Sequence, residues 1–341
     1  MIKNTENNAK TTNKEETMDV FSETLRSLQI TGSLLLNEDY SAPWAVSIPN
    51  KIELAESLGS KKNVHIAAFH LVQRGYIEIK LENGHKETVY AGEMVICFSG
   101  MAHTLYQQTS KPARPFKKIL DSGQNIFAPD KENYAQSTSL ICGIFMMHNT
   151  ILNPLFEALP SLLKIPTGQG DDYSLSTTAS IVNLLRKEIK QKSLTHSYMV
   201  ERYLELLCAK SLLLYIETAP AEETGWLHAL KDPMVAKIIT SIHSQPAHNW
   251  SVKELAKSIA LSPSRFAARF TEKMAITPMV YVTRWRMYLA SRLLIETPLS
   301  IEQISTQVGY ENIAAFSRAF KRHIGSSPGA WRTYNRTMQL T

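Results

Sequence analysis

Three side chains in the first half of the sequence carry the chemistry that most needs weighing: His70, His103 and Cys142. Imidazole and thiolate suit zinc and other transition metals, and three or four such ligands can leave a position open for a substrate. The spacing argues for a milder role. His65 and His70 lie five residues apart, an odd separation that puts them on opposite faces of a strand, so only one of them can share a pocket with His103. We read His70 and His103 as hydrogen-bonded residues of a domain interior, with a zinc on His70, His103 and Cys142 as the alternative. No nucleophile elbow, Walker loop or dinucleotide-binding glycine motif occurs, and Cys97, Cys142 and Cys208 have no charged neighbour in sequence to activate a thiolate. Neither a cofactor nor enzymatic activity is expected.

A second set of residues points to a polyanion. From Lys231 to Thr341 there are 15 Lys and Arg against 6 Asp and Glu, whereas the preceding residues carry 22 against 25. A basic block on a slightly acidic remainder suggests a nucleic-acid partner for the block. Within it, Ser264, Ala268 and Thr271 fall opposite Phe266 and Phe270 at roughly 100° per residue, and Ala314, Arg318 and Lys321 fall opposite Phe316 and Phe320. A helix offering small side chains and an arginine fits a major groove about 12 Å wide, where Arg318 can take a guanine edge and alanines can meet thymine methyls. Arg265, Lys321, Arg322 and the amides at Ser262 and Asn312 are placed to hold phosphates, with Thr271 beside them.

The elements that must position these residues have explicit start signals. Asp232-Pro233 and Ser262-Pro263 each put a capping side chain before a first-turn proline, and Ser251-Val-Lys-Glu254 and Ser300-Ile-Glu-Gln303 read as capping boxes. They predict a helix from Val252, a turn and a helix from Pro263, then the same arrangement from Ile301 and from about Asn312. Phe266, Phe270, Met274, Pro278 and Tyr281 recur fifty residues on as Phe316, Phe320, Ile324, Pro328 and Trp331. Two helix-turn-helix units are expected, with the phenylalanines as core and a spacer helix over Pro278–Leu294 between them.

The rest of the chain reads differently. Met1 to Met18 is polar and predicts a disordered tail, and Asp19–Ile30 a short helix. From Trp44 to about Met147, short β-rich stretches (His65–Val72, Tyr76–Leu81, Glu93–Phe98, Leu140–Met147) alternate with turn signals and predict an antiparallel barrel or sandwich. Residues 171–218 predict two helices. The expected organisation is therefore α+β in two domains: a tail over 1–18, a sheet-built domain over 19–165, helices over 171–218, a linker over 219–230 and a helical domain over 231–338. With no apolar run of eighteen residues no membrane partner is expected, and scattered cysteines in a chain without a signal peptide suggest the cytoplasm.

Gly309-Tyr-Glu-Asn-Ile-Ala-Ala-Phe-Ser-Arg-Ala-Phe-Lys-Arg-His-Ile-Gly-Ser-Ser-Pro-Gly-Ala-Trp-Arg332 closely resembles the signature of the AraC-type transcription regulators. Ser262-Pro-Ser-Arg-Phe-Ala-Ala-Arg-Phe270 and Ala290-Ser-Arg-Leu-Leu294 resemble further stations of that domain. By motif position the resemblance implies base reading by Ser264 and Ala268, and by Ile313, Ala314 and Arg318. This sequence departs from an arginine-rich version at Ala268, which shifts part of the first unit's readout to Arg265. Upstream, Gly92-Glu-Met-Val-Ile-Cys-Phe-Ser-Gly100-Met-Ala-His103 resembles the second cupin motif with Phe98 in place of proline, and His70-Leu-Val-Gln-Arg-Gly75 a degenerate first one. The resemblance implies a sensor barrel with an effector pocket at His70 and His103, homodimerisation through the helices over 171–218, double-stranded DNA as partner, and RNA polymerase as a further partner if the chain activates.

Overall fold

The computed structural model describes residues 22, 24–26, 28–59, 64–108, 112–148, 151–168, 173–191, 195–218 and 225–340. The expected tail lies outside the described residues, as do 219–224 of the expected linker and residues 19–21, 23 and 27 of the expected first helix. The chain divides into two compact units. Of the described residues, those within 29–148 and 159–218 make one; those before 29, 151–158 and 225–340 make the other.

The first unit is built on ten strands: β1 Thr31–Tyr40, β2 Trp44–Ile48, β3 His65–Arg74, β4 Tyr76–Leu81, β5 Lys86–Tyr90, β6 Glu93–Cys97, β7 His103–Gln107, β8 Arg114–Pro115, β9 Thr138–Met147 and β10 Leu163–Pro166. They form two five-stranded sheets, β1-β9-β3-β6-β10 and β5-β4-β7-β2-β8. The pairing is antiparallel apart from the short parallel contact of β2 with β8. The barrel is thus not a closed ring: the sheets face each other across one core, with Val72, Val95, Leu140 and Ile144 from one meeting Trp44, Val46, Ile77, Ile79 and Leu105 from the other. The strict alternation of Tyr76–Leu81 buries Ile77, Ile79 and Leu81, as a half-buried strand requires.

Short helices α1 (Lys51–Ser57) and α2 (Phe116–Ser122) flank the sheets, and α3 (Pro154–Glu157) belongs to the other unit. The long helices α4 (Tyr173–Gln191) and α5 (His196–Thr218) pair with each other, and α5 lies on β1. Gly32 permits the close approach, because a Cβ there would stand 2.3 Å from the Cβ of Leu204. The central strand β3 is buried from His65 through Val72, which is why it reads as a continuous apolar run rather than an alternating one.

The second unit continues with α6 (Trp226–Ala229), α7 (Pro233–Ser244), α8 (Val252–Ser258), α9 (Pro263–Met274), α10 (Pro278–Glu296), α11 (Ile301–Gln307), α12 (Ile313–Ile324) and α13 (Pro328–Leu340). The expected linker ends early, since Trp226, Leu227 and Ala229 of α6 are buried. Residues 151–158, expected with the sensor, also group here: the buried Asn153 caps α3 and donates from Nδ2 to the Tyr288 hydroxyl at 3.1 Å. The capping box at Ser300 is complete, with Gln303 reaching back to the Ser300 amide. The one expected at Ser251 is half formed, because Glu254 turns its carboxylate to His248, 2.6 Å away.

Candidate nucleic-acid interface and histidine pocket

Each helix-turn-helix unit is built by the same local devices. After α8 the chain turns through Ala260 at φ 54°, and after α11 through Gly309 at φ 86°. In both turns an amide three residues beyond the helix's end donates back to a carbonyl inside the last turn, Leu261 to that of Ala256 and Tyr310 to that of Ser305. Gly309 is constrained twice over, since a Cβ there would meet the Ala247 carbonyl oxygen and an Arg286 nitrogen, each at 2.8 Å. The reading helices then start at side-chain caps: Ser262 accepts from the Arg265 amide, and Asn312 from those of Ala314 and Ala315.

Packing fixes which face each helix shows. Phe266, Phe270 and Met274 of α9 are buried, as are Phe316, Ala319 and Phe320 of α12. That leaves Ser264, Arg265 and Ala268 exposed on α9, with Thr271 half-buried, and Ile313, Ala314, Arg318, Lys321 and Arg322 exposed on α12. Ser262 and Asn312, at the helix starts, are exposed as well. Ile313, 43% exposed, adds an apolar side chain to the open face of α12. Among the described residues the side chains of Arg265, Arg318, Lys321 and Arg322 have no hydrogen bond or ion pair, so four cations stand unspent beside the two faces.

Three further arginines carry structure that the sequence reading did not assign. Arg269, next to Ala268, is held by Asp232: Nε and Nη2 each lie 2.8 Å from Oδ2, while Oδ1 of the same carboxylate caps α7. Arg286 donates to the carbonyls of Pro246 and His248 at 2.8 Å and of Gly309 at 3.3 Å. Arg284 pairs with Glu157 at 2.5 Å. Their partners lie between 23 and 127 residues away, beyond the reach of any local pattern.

The helix α10 supplies both cores. Its Tyr281 packs on Phe270, ring centroids 5.9 Å apart, while Met287, Ala290 and Leu294 join Ile304, Phe316 and Phe320. The C-terminal α13 clamps the second core: the Trp331 indole donates to the Ser291 carbonyl, and Arg332 to those of Leu294 and Leu299.

In the sheet-built unit, His70 on β3 and His103 on β7 meet across the two sheets, Nε2 to Nε2 at 2.9 Å. His103 Nδ1 lies 3.1 Å from the Met101 carbonyl, and His70 Nδ1 lies 3.1 Å from the Cys142 sulfur, which the strand register places opposite it. A carbonyl only accepts, so His103 donates from Nδ1 and accepts at Nε2. His70 therefore donates from Nε2 and accepts the Cys142 S–H at Nδ1. The chain of bonds closes with both rings neutral, and burial keeps them so: it lowers His103 to about 4 and His70 well below the usual value, and it pushes the Cys142 thiol up to about 12. His65, on the other face of β3, bonds instead to the Phe98 carbonyl at 2.6 Å. Among the described residues no group of three or more His, Cys, Asp or Glu is placed to hold a metal, and no helix is long and apolar enough to cross a membrane.

A sheet-built unit joined to paired helix-turn-helix units with unspent cations on their open faces defines a DNA-binding transcription regulator. A family model described as Cupin matches residues 19–217, and one described as Helix-turn-helix domain matches residues 255–334. A putative AraC-like transcription regulator of Streptomyces lividans is 30% identical over 276 residues, covering 79% of this chain and 87% of its own. One from Streptomyces antibioticus is 32% identical over 217 residues, covering 62% and 71%. The HTH-type transcriptional regulator AlkR of Acinetobacter baylyi is 28% identical over 278 residues, covering 77% and 86%. The chain belongs to the AraC family of transcription regulators, with a cupin domain at its N-terminal side.

Proposed function

We propose that the chain reads double-stranded DNA by seating α9 and α12 in successive major grooves, under the control of a small effector bound by the cupin domain. The observation that carries this reading is the open face of α12. Ile313, Ala314 and Arg318 are exposed, while Phe316, Ala319 and Phe320 lock the helix down from behind. Arg318, with no partner among the described residues, takes a base edge. Arg265 shares the first unit's readout with Ser264 and Ala268, while Lys321, Arg322, Thr271 and the helix starts at Ser262 and Asn312 hold phosphates.

The effector acts where His70 and His103 bridge the two sheets, since a ligand accepted there changes the only imidazole pair joining them among the described residues. Its influence on DNA is a difference in affinity between two states of the protein. The exposed Leu184, Tyr198 and Leu206 of the α4–α5 pair suit contact with a second copy, and a symmetric homodimer favours repeated DNA sites. RNA polymerase becomes a partner if the chain activates, the cytoplasm is its place of action, and no catalysis is assigned to it.

Selection of bound sequences from a random DNA pool, with the full chain at near-physiological salt, tests the reading. Enrichment of two elements about one helical turn apart supports it. Salt-dependent binding without sequence preference would reduce the basic unit to an anchor.

A further inference from the structure

We propose that the C-terminal unit contains a small-molecule site of its own, for an organic acid with an apolar body, in the cavity between α3 and helices α6, α9 and α10. This site is separate from the cupin effector pocket and does not rest on it. The cavity measures about 260 Å³ and is walled by apolar side chains including Leu152, Pro154, Trp226, Met274, Ile276 and Tyr281. A dry cavity of roughly 150 Å³ takes benzene, so this one has room for a substituted aromatic or a short aliphatic chain.

Of the lining residues, Glu157 and Arg284 alone are charged, and they face each other at 2.5 Å. Their chemistry selects the ligand. A guanidinium offers five N–H donors, and Arg284 spends one on Glu157, with no other partner among the described residues. Burial raises the Glu157 carboxyl above its ordinary range while Arg284 pulls it back down, so the carboxylate is held there against a desolvation penalty. Its side chain is 42% exposed and can swing to water. A ligand carboxylate would take the Arg284 fork with two parallel bonds and keep its apolar body against Trp226 and Met274. An amine would instead have to displace Arg284 from Glu157 and strand a guanidinium beside its own charge.

The position gives such a ligand something to act on. Met274 ends α9, the first reading helix, and Ile276 follows in the turn to α10. Residues 152–158, on the opposite wall, are the chain segment connecting β9 to β10. An acid in the cavity joins that segment to the foot of the reading helix.

The test uses the full-length chain with ¹⁵N-labelled tryptophan, following the indole signals of Trp226 and Trp285, each assigned by its Phe variant. Hexanoate and benzoate are titrated beside hexanol and benzyl alcohol. The acids are expected to shift these two indole signals saturably. Arg284→Gln should weaken hexanoate about tenfold while sparing hexanol. Glu157→Gln, which removes the competing charge from the cavity wall while keeping the side chain's size, should tighten hexanoate several-fold and keeps the test alive if the arginine variant misfolds. His70→Ala should change neither. Absence of shifts at millimolar acid, equal effects of Arg284→Gln on acid and alcohol, or no gain from Glu157→Gln would overturn the proposal. Loss of the shifts in His70→Ala would move the acids to the cupin pocket and overturn it too.

Discussion

The guanidinium of Arg286 lies against the backbone of Gly309, donating to its carbonyl at 3.3 Å while two further bonds reach Pro246 and His248. One side chain on the spacer helix thus ties the turn of the second helix-turn-helix unit to the loop that introduces the first. The three acceptors are main-chain carbonyls without freedom to follow a shorter side chain. Arg286→Met should cost about 2–4 kcal/mol, at roughly 1 kcal/mol per lost bond plus the penalty of stranded carbonyls. Thermal melting would read this, and Arg286→Lys should recover only part, because an ammonium cannot span the three acceptors as a planar fork does.

Arg318 differs from its neighbours in what its loss should do. Arg318→Ala is expected to cost roughly 1–3 kcal/mol on the selected DNA sequence and to relax preference at one base position. Lys321→Ala should weaken specific and random DNA alike and make the salt dependence shallower. Fluorescence anisotropy on both DNAs across a salt series separates the two. An Arg318 variant that loses specific and random binding equally would make this arginine a phosphate contact.

Phe320 is fully buried, with Phe316 and Trp331 beside it at centroid distances of 5.8 and 6.4 Å. Phe320→Ala should destabilise the C-terminal unit by roughly 3–5 kcal/mol, the span for a core phenylalanine. Differential scanning calorimetry on the full chain would detect it, and a near-native melt would contradict the packing of α12.

The buried imidazoles predict sensitivity to acid. His65 and His103 are each lowered to about 4 and His243 to about 3, chiefly by burial, with the Lys51 charge adding to the effect at His65. A base whose folded pKa is depressed takes its proton first in the unfolded chain, so stability is full above about 6.5 and is lost as pH falls toward about 4. For His103 alone the loss by pH 4 is roughly 3 kcal/mol. The melting temperature should fall over this window, and His103→Gln, which cannot charge, should flatten the slope. An equal slope in the variant would assign the acid lability to other groups.

Where a signal was local, the sequence disclosed it. Ser262, Pro263 and the phenylalanines four apart gave α9 its start, its period and its buried face, and so told which residues remain outside. Alternation did the same for Tyr76–Leu81. What escaped was set by partners distant in sequence. Asp232 is legible as a cap, but nothing nearby shows that its second oxygen holds Arg269. Glu254 looks like half of a capping box until His248 takes it. The strand β1 is covered by α5, a helix far along the chain, which weakens its alternation. The meeting of His70 with His103 was partly legible, because the parity argument left one histidine of β3 for the pocket. That Cys142 completes the chain of bonds depends on strand register, which no single segment states.

The spacer helix α10 gives Tyr281 to one aromatic core and Met287, Ala290 and Leu294 to the next, so neither core is closed without it. The two helix-turn-helix units are consequently repeats in outline without being interchangeable parts. Damage to either core should reach the other through the shared helix, and the pair should melt together in a single transition. A duplicated module has in this way become one cooperative body, whose halves can diverge in what they read but are bound to keep the same scaffold between them.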